Sequence, residues 1–175
     1  MTQANHPSQD RWRELATPEV AAAADTDVEA QDDQAWRAQL APDAYAVLRK
    51  EGTERPGSSP LNDEKREGVF VCAGCGLPLF SSEMKYESGT GWPSFFSYIP
   101  GSLETRRDFK LLIPRTEYHC TRCGGHQGHV FSDGPPATGK RFCNNGVALR
   151  FVPADGGTAA GTTEGAADDR DVDST

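Results

Sequence analysis

The sequence is poor in aromatic residues, basic charge and long apolar runs. Aromatic residues make up 9% of its 175 residues, and the mean hydropathy is −0.63. No stretch approaches the roughly 18 consecutive apolar residues that a membrane-spanning helix needs. Lysine and arginine number 18 against 26 acidic residues, so the net charge of −8 offers little attraction to nucleic-acid phosphates. We therefore expect neither a membrane span nor a nucleic-acid partner.

The acidic charge is concentrated at the two ends of the chain. Residues 1–30 carry six acidic residues and two arginines, and residues 154–175 carry six acidic residues and one arginine. Residues 31–153 are left with a net charge of +1. Both ends are also rich in small and polar residues. We predict two disordered acidic tails, 1–30 and 154–175, apart from a helical turn or two in PEVAAAAD, and one folded domain over 31–153.

Cysteine is scarce, and its use predicts the compartment. There are five cysteines, an odd number, and the first residues contain no basic patch followed by an apolar run. Such a chain resembles a protein of a reducing environment, where paired cysteines more often bind metal than each other. We expect a cytoplasmic protein.

Local patterns predict two short helices followed by a mainly β body. DDQAWRAQL places Trp36 and Leu40 one turn apart after an acidic start, and Pro42 opens PDAYAVLRKEG, which Gly52 ends. Short β-like runs follow, separated by turn residues: GVFVC, LPLF, FKLLIP, TEYHC, HVF and VALRFV. No segment of helical length and periodicity separates these runs, so they predict antiparallel pairing.

Four of the five cysteines form two C-x-x-C-G motifs. Cys72 and Cys75 make the first, and Cys120 and Cys123 make the second. Together they supply four thiolates, the full tetrahedral ligand set of a closed structural zinc site. An iron site of the same ligands, a pair of disulfides and a thiol-redox motif are the alternatives. A closed site has no open position for chemistry, so a catalytic group would lie elsewhere.

The fifth cysteine stands alone in RFCNNGVALRFV. A free cysteine in a strand is usually a small inert apolar residue. In an extended strand, however, Arg141 and Asn145 would lie on the same face as Cys143. The guanidinium would favour the reactive thiolate, and the amide would orient a polar substrate. This arrangement is not one that core packing requires.

Two further segments carry candidate functional residues. GGHQGHVFSDGP contains His126 and His129, which are a general acid and its helper, ordinary turn residues or extra metal ligands. SGTGWPSF holds Trp92 between a flexible Gly-Thr-Gly and Pro93, where the indole would form an apolar wall for a ligand or simply pack.

These segments together resemble a known family. KYESGTGWPSF, the two C-x-x-C motifs, GGHQGHVFSDGP and RFCNNGVALRFV come in the order and spacing of the methionine-R-sulfoxide reductases, the MsrB family. LRKEGTERPGSS resembles the stretch that precedes the first motif there. The resemblance covers residues 32–153. It implies a mostly β fold of two antiparallel sheets with zinc held by four cysteines, and reduction of oxidised methionine in proteins.

The resemblance also implies a role for each matching residue. Cys143 matches the nucleophile, which becomes a sulfenic acid, and His129 and His126 match the histidines around the sulfoxide oxygen. Polar residues that organise the site are matched by Asn145, Arg141 and Asp133. The expected substrate-binding residues are Trp92, against the substrate methyl group, with Thr90 and Phe142 beside it.

The sequence departs from the family at two of these positions. Many members carry a resolving cysteine where this chain has Thr90, and Phe142 replaces the usual Tyr. With four cysteines on zinc and one attacking, none is left to form an intramolecular disulfide. We expect an external thiol, thioredoxin or a small molecule, to reduce Cys143 directly.

Two other kinds of protein share parts of this pattern. A zinc-stabilised β module that binds a partner would need the scaffold without Cys143 and its polar neighbours. A peroxide-sensing thiol would need an activated cysteine without a Trp-lined loop and proton donors.

Overall fold

A computed structural model describes residues 5–161. The α-helices are α1 (Ser8–Arg11), α2 (Pro18–Ala24), α3 (Asp33–Gln39) and α4 (Pro42–Lys50). Four 3-10 helices span Trp12–Leu15, Pro60–Asp63, Ser82–Met84 and Gly146–Ala148. No helix within the described range is both long enough and apolar enough to cross a membrane.

The two helices predicted ahead of the β body are α3 and α4. The Asp32 side chain caps α3 by accepting the backbone N–H of Ala35 at 2.8 Å, and Trp36 is buried. Pro42 opens α4 as expected. The residue that leaves α4 in the left-handed conformation is Glu51, with φ of 58°, rather than the predicted Gly52.

The described part of the chain contains ten strands: β1 (Gly68–Cys72), β2 (Pro78–Ser81), β3 (Lys85–Tyr86), β4 (Ser94–Phe95), β5 (Leu103–Asp108), β6 (Arg115–Cys120), β7 (His126–Phe131), β8 (Arg141–Asn144), β9 (Leu149–Pro153) and β10 (Ala160–Gly161). One sheet has the order β10-β9-β1-β2, and the other has the order β3-β4-β8-β7-β6-β5. All of these pairings are antiparallel. The expected fold class, mainly β with two antiparallel sheets and a few short helices, is confirmed.

Aromatic side chains join the two sheets. Phe80 of β2 stacks on Phe95 of β4, with ring centroids 3.9 Å apart and planes 10° from parallel. Phe70 of β1 meets both Phe95 and Phe151 of β9 at about 5 Å. All four rings are fully buried. This shared core fixes the position of the longer sheet, which carries the candidate site.

One predicted strand is wrong. FKLLIP is not a strand but the loop that links β5 to β6, because Asp108 and Arg115 are the last paired residues of that hairpin. The preceding LETRRD, which is too polar to be recognised as a strand, forms β5 instead. Pro114 has no N–H for a ladder, and the Asp108 side chain accepts the backbone N–H of Lys110, which closes the turn.

The N-terminal segment is another correction. We predicted disorder over residues 1–30 apart from a helical turn or two in PEVAAAAD, which is α2. Residues 5–30 also contain α1 and a 3-10 helix, and this segment packs on the domain. Trp12 and Val20 are 6% and 7% exposed. The Arg122 guanidinium donates to the carbonyls of Ala23 and Thr26, which fastens the end of α2. The prediction rested on the overall composition of residues 1–30, which does not reveal that Trp12 and Val20 anchor this segment.

The predicted C-terminal tail is also ordered at its start. β10 pairs with Phe151 and Arg150 of β9, so ordered chain extends past the expected boundary at residue 153. The rest of both predicted tails, residues 1–4 and 162–175, lies outside the described residues.

Candidate active site

Three neighbouring strands place Cys143 at the centre of the longer sheet. Cys143 of β8 stands opposite His129 of β7 and Ser94 of β4. A Cβ on Gly128 would lie 2.0 Å from the Cys143 carbonyl oxygen, so only glycine allows β7 to approach β8 this closely. The sheet register therefore sets the thiol beside the imidazole.

A cleft of about 280 Å³ opens over this point. Six of the predicted site residues line it: Cys143, His129, Arg141, Asn145, Trp92 and Thr90. The other three, Asp133, His126 and Phe142, do not.

The half-buried Cys143 thiol is subject to opposing effects. Burial raises its pKa above the ordinary thiol value, and this effect is the largest. The Arg141 guanidinium and a hydrogen bond with Thr90 act in the opposite direction. The charge of Arg141 was expected from the sequence, whereas the opposing effect of burial on the pKa was not.

Arg141 is held by a carboxylate and an aromatic ring. Its Nε and Nη2 donate to the two carboxylate oxygens of Asp133 at 2.9 and 3.1 Å. Its guanidinium also lies 4.3 Å from the centre of the Phe131 ring. Asp133 is exposed and acts on the cleft only through Arg141, whose hydrogen bond lowers the pKa of the Asp133 carboxyl.

His129 has a partner that sequence reasoning missed. Asp108, at the end of β5, places its Oδ2 2.9 Å from His129 Nε2 and 3.2 Å from Arg115 Nη2. The backbone N–H of Lys110 and then His129 lower the pKa of Asp108 to about 2. Burial lowers the pKa of His129, and the hydrogen bond to Asp108 opposes that shift. Asp108, which no sequence motif marked as functional, thus holds the imidazole of His129.

His126 lies outside the cleft. Its Nδ1 is 2.6 Å from Glu117 Oε2, and both residues are buried beside a separate cavity of about 170 Å³. The His126 ring meets the His129 ring edge-on, with centroids 5.5 Å apart. The two histidines are neighbours, but only His129 reaches the cleft.

Asn145 and Trp92 are both held by Glu54, another residue that sequence reasoning missed. The backbone N–H of Glu54 donates to Asn145 Oδ1 at 2.9 Å, and its carbonyl accepts Trp92 Nε1–H at 3.1 Å. Its half-buried carboxylate accepts the backbone N–H groups of Gly146 and Val147 at 2.7 and 3.0 Å. One residue of the GTERPG segment therefore ties together the loop after β8 and the Trp loop.

Phe142 belongs to the core. It is 1% exposed and packs against Tyr98 and Tyr118, with ring centroids 5.2 and 5.5 Å away. Because neighbouring strand residues point to opposite faces, Cys143 in the cleft requires Phe142 to face away from it. The structure gives Phe142 no place among the residues that line the cleft.

The other four cysteines form a compact group, the four-cysteine cluster: Cys72, Cys75, Cys120 and Cys123. Their sulfurs all lie within 4.8 Å of one another, and the Cys72–Cys123 and Cys75–Cys120 sulfur pairs are 3.6 and 3.5 Å apart. A disulfide requires about 2.05 Å. Tetrahedral ligands at about 2.3 Å from one ion stand roughly 3.8 Å apart, so the cluster has the spacing of a metal site.

Polar contacts around the four-cysteine cluster also suit thiolates. Backbone N–H groups of Gly74 and Gly125 each approach a sulfur at 3.4 Å, and Gln127 Nε2 lies 3.4 Å from Cys72 Sγ. Hydrogen bonds within the cluster, then burial, raise the pKa of Cys72 well above its usual range. Full ionisation of four thiols so placed needs a cation among them.

Comparison with known proteins agrees with this geometry. Residues 40–153 match the SelR domain family. A peptide methionine sulfoxide reductase MsrB from Pseudomonas putida (strain W619) is 52% identical over 123 residues, 69% of this chain and 92% of that protein. The protein of the same name from Methanosarcina barkeri (strain Fusaro / DSM 804) is 50% identical over 120 residues, 68% of this chain and 84% of that protein.

A third relative matches over a slightly longer part of the chain. The peptide methionine sulfoxide reductase MsrB from Leifsonia xyli subsp. xyli (strain CTCB07) is 48% identical over 128 residues, 72% of this chain and 92% of that protein. The matches span both the four-cysteine cluster and the cleft. The chain therefore belongs to the SelR domain family, that of the MsrB-type peptide methionine sulfoxide reductases.

Proposed function

We propose that this chain reduces methionine-R-sulfoxide in oxidised proteins to methionine, with Cys143 as nucleophile. The observation that carries the proposal is the meeting of one thiol, one imidazole and one indole wall in a single cleft. A partner-binding module has no use for that combination, and a peroxide sensor has no use for the indole.

The reaction transfers one oxygen atom between two sulfurs. Cys143 Sγ attacks the sulfoxide sulfur, the S–O bond of the substrate breaks, and oxygen passes to cysteine as a sulfenic acid. Methionine sulfur is reduced by two electrons, and cysteine sulfur is oxidised by two. The oxygen must gain a proton as its bond to the substrate breaks, so an acid is required beside the nucleophile.

We assign the supply of that proton to His129. With Nε2–H donated to Asp108, a protonated His129 offers its Nδ1–H as the second donor. Asp108 stabilises that imidazolium by charge and fixes the ring orientation. His126, which the family resemblance pairs with His129, acts through its ring contact with His129 rather than on the oxygen directly.

The remaining cleft residues bind and orient the substrate. Trp92 presents an apolar surface to the methyl group on the substrate sulfur, and Thr90 lies beside the thiol. Asn145 uses its Oδ1 and one hydrogen of Nδ2 within the fold, which leaves the second Nδ2 hydrogen for the sulfoxide oxygen. Asp133 contributes by holding Arg141 near the thiolate.

The metal we infer for the four-cysteine cluster is one structural zinc ion. Four thiolates with N–H donors around them form a closed site, and zinc accepts that ligand set without redox chemistry. The ion would tie the β1–β2 turn to the β6–β7 turn across the two sheets and takes no part in the reaction.

Reduction of the sulfenic acid is assigned to an external thiol, either thioredoxin or a small molecule. Thr90 occupies the loop position that faces Cys143, and the other four cysteines are held in the cluster. Two external thiols would return Cys143 to its thiol and release water and a disulfide. Mass spectrometry after oxidation should find Cys143 without an intrachain disulfide, and a Cys143-linked disulfide within the chain would contradict this assignment.

A cytoplasmic location follows from the same chemistry. None of the five cysteines forms a disulfide, and a reducing compartment maintains that state. A protein-repair function fits that compartment because oxidised methionine arises there and reduced thioredoxin is available.

The test is a stereospecific assay with dithiothreitol as reductant. The separate R and S epimers of dabsyl-methionine sulfoxide are offered to the wild type and to Cys143→Ser. We expect turnover of the R epimer alone, and its complete loss in the variant. Equal activity of the variant would remove Cys143 as nucleophile, and preference for the S epimer would overturn the assignment of substrate.

A further inference from the structure

Four large apolar side chains stand in solvent next to the cleft. Phe109, Leu111, Leu112 and Ile113, here called the apolar loop, are 71%, 57%, 103% and 78% exposed. Among the described residues, the other large exposed apolar side chain is Val28, at 44%. Soluble proteins seldom expose so many neighbouring apolar side chains unless they bind something. The exposure of these side chains therefore indicates a binding surface.

The apolar loop is fixed to the cleft at both ends. It begins directly after Asp108, whose carboxylate touches His129, and it ends two residues before Arg115, which lines the cleft. Asp108 and Arg115 are joined by an ion pair of 3.2 Å. An extended polypeptide advances about 3.3 Å per residue, so residues two to four positions from a side chain in the cleft would lie roughly 7–13 Å away. The apolar loop adjoins the cleft through Asp108 and Arg115, so it is the surface that we expect those residues to meet.

The charges near the apolar loop argue against an anionic membrane surface as the partner. Arg106 and Lys110 both pair with Glu51, at 3.1 and 3.0 Å, and Arg115 pairs with Asp108. Arg106 also pairs with Glu117, whereas Arg107 donates to the hydroxyl of Thr116. Three of these four cations are therefore paired with carboxylates of the chain, whose net charge is −8. Attraction to anionic lipid depends on uncompensated basic charge. An apolar polypeptide needs no such charge.

We infer that the apolar loop binds the apolar residues that flank methionine sulfoxide in an oxidised polypeptide. This inference rests on the proposed function. Methionine is among the most frequently buried residues, so the segments that contain it are often apolar. Its oxidation to the polar sulfoxide disrupts cores and exposes those segments. The sulfoxide would enter the cleft while neighbouring apolar side chains cover the loop.

The experiment compares three R-sulfoxide substrates under dithiothreitol: N-acetyl-methionine sulfoxide, a seven-residue peptide with Leu and Ile flanking the sulfoxide, and the same peptide with Ser and Asn at those positions. The enzymes are the full-length wild type, Leu112→Ser/Ile113→Ser and Val28→Ser. Val28→Ser is the matched control because it removes an exposed apolar side chain outside the loop.

We expect the wild type and Val28→Ser to prefer the apolar peptide over the polar one by roughly tenfold in kcat/KM, mainly through KM. Leu112→Ser/Ile113→Ser should lose that preference and keep its rate on N-acetyl-methionine sulfoxide. Loss of activity on all three substrates in proportion would show a structural defect and overturn the inference.

Other results overturn it in distinguishable ways. If the wild type is inactive on every substrate, both the proposed function and peptide binding by the apolar loop are refuted. If the wild type reduces both peptides with equal kcat/KM, only peptide binding by the apolar loop is refuted. If the loop variant is impaired only when thioredoxin replaces dithiothreitol, the partner is the protein reductant. If wild-type protein, but not the variant, sediments with phosphatidylglycerol vesicles and the peptide preference is unchanged, the partner is a membrane.

Discussion

The four-cysteine cluster and Cys143 place the same side chain in opposite surroundings. Each sulfur of the cluster has three others within 4.8 Å, and backbone and Gln127 N–H groups approach from outside. Cys143 has no sulfur neighbour of that kind and stands instead among a guanidinium, a hydroxyl and an imidazole at the wall of an open cleft.

The difference shows that the neighbours of a thiol determine what it does. Sulfurs that surround one another need a cation and leave it no open position, so the cluster can stabilise but cannot react. A single sulfur beside proton donors and an apolar wall can attack a substrate but contributes little to the fold. Stability and reactivity should therefore be separable by mutation, cysteine by cysteine.

The largest expected effect is on the free energy of unfolding, which should depend on the four-cysteine cluster but not on Cys143. Removing one ligand, by Cys120→Ser, should reduce bound zinc from about one ion per chain to near zero and lower the free energy of unfolding by about 3 kcal/mol or more. Chelation of wild-type zinc should likewise unfold the protein. Elemental analysis and thermal unfolding measure both effects.

Cys143→Ser is the matched control for that experiment. It makes the same replacement of sulfur by oxygen, but in the cleft. The variant should therefore retain zinc and keep a free energy of unfolding within about 0.5 kcal/mol of wild type, while losing activity. A metal-free wild type that unfolds at the same temperature as the loaded protein would contradict the structural role of the cluster.

The two regions also differ in how far the sequence could predict them. The cluster ligands follow from local spacing, because each C-x-x-C motif presents two sulfurs whatever the rest of the chain does. Cys143 and His129, which the family resemblance predicts to act together, stand opposite each other across the β7–β8 ladder. The residues that support the cleft, Asp108 and Glu54, were not predicted, because their partners lie far along the chain. Asp108 meets His129 21 positions away, and Glu54 meets its partners 38 to 93 positions away.

Local patterns misled where tertiary context decides the outcome. FKLLIP has the composition of a strand, yet the hairpin pairs the polar LETRRD and leaves the apolar residues in the turn. The N-terminal residues have the composition of a disordered tail, yet Trp12 and Val20 find room on the core. In both cases the partner surface, which a single sequence does not display, determined the result.

The second prediction concerns the support of the cleft. In Glu54→Gln the new NH₂ group would face a backbone N–H that the carboxylate now accepts, from Gly146 or Val147. Loss of one such bond to a half-buried carboxylate should cost about 1 kcal/mol of unfolding free energy. Displacement of Asn145 and Trp92 should lower kcat/KM at least tenfold. Urea unfolding and steady-state kinetics measure the two effects.

An exposed glutamate supplies the comparison. Glu87 pairs with Lys65 on the surface, so Glu87→Gln should change neither quantity measurably. If Glu54→Gln behaves like Glu87→Gln, the Glu54 carboxylate does not hold the site together.

The third prediction concerns the acid in the cleft. Asp108 raises the pKa of His129, so Asp108→Asn should lower that pKa further. A protonated His129 would then persist only to a lower pH, and the alkaline decline of kcat/KM should begin earlier. Near neutral pH we expect a loss of about tenfold. A pH profile of R-sulfoxide reduction by the wild type and the variant measures this shift.

Asp25→Asn serves as its control, because Asp25 is an exposed carboxylate that pairs with Arg13 away from the cleft. It should leave the pH profile unchanged. A uniform loss of rate in Asp108→Asn, with no displacement of the alkaline limb, would mean that Asp108 stabilises the hairpin without acting on His129.

The smallest effect should appear in the free thiol. Burial raises the pKa of Cys143, so its alkylation by iodoacetamide should have a midpoint above the ordinary thiol value of about 8.5. Arg141→Met removes the charge that opposes burial, so the midpoint should move to still higher pH, because only the thiolate reacts. The neighbouring Lys140→Met, a cation that does not line the cleft, should leave the midpoint unchanged. Peptide mass spectrometry separates Cys143 from the cluster cysteines, which zinc should protect. A wild-type midpoint well below 8.5 would mean that Arg141 and Thr90 outweigh burial, and Cys143 would then be a thiolate before any substrate arrives.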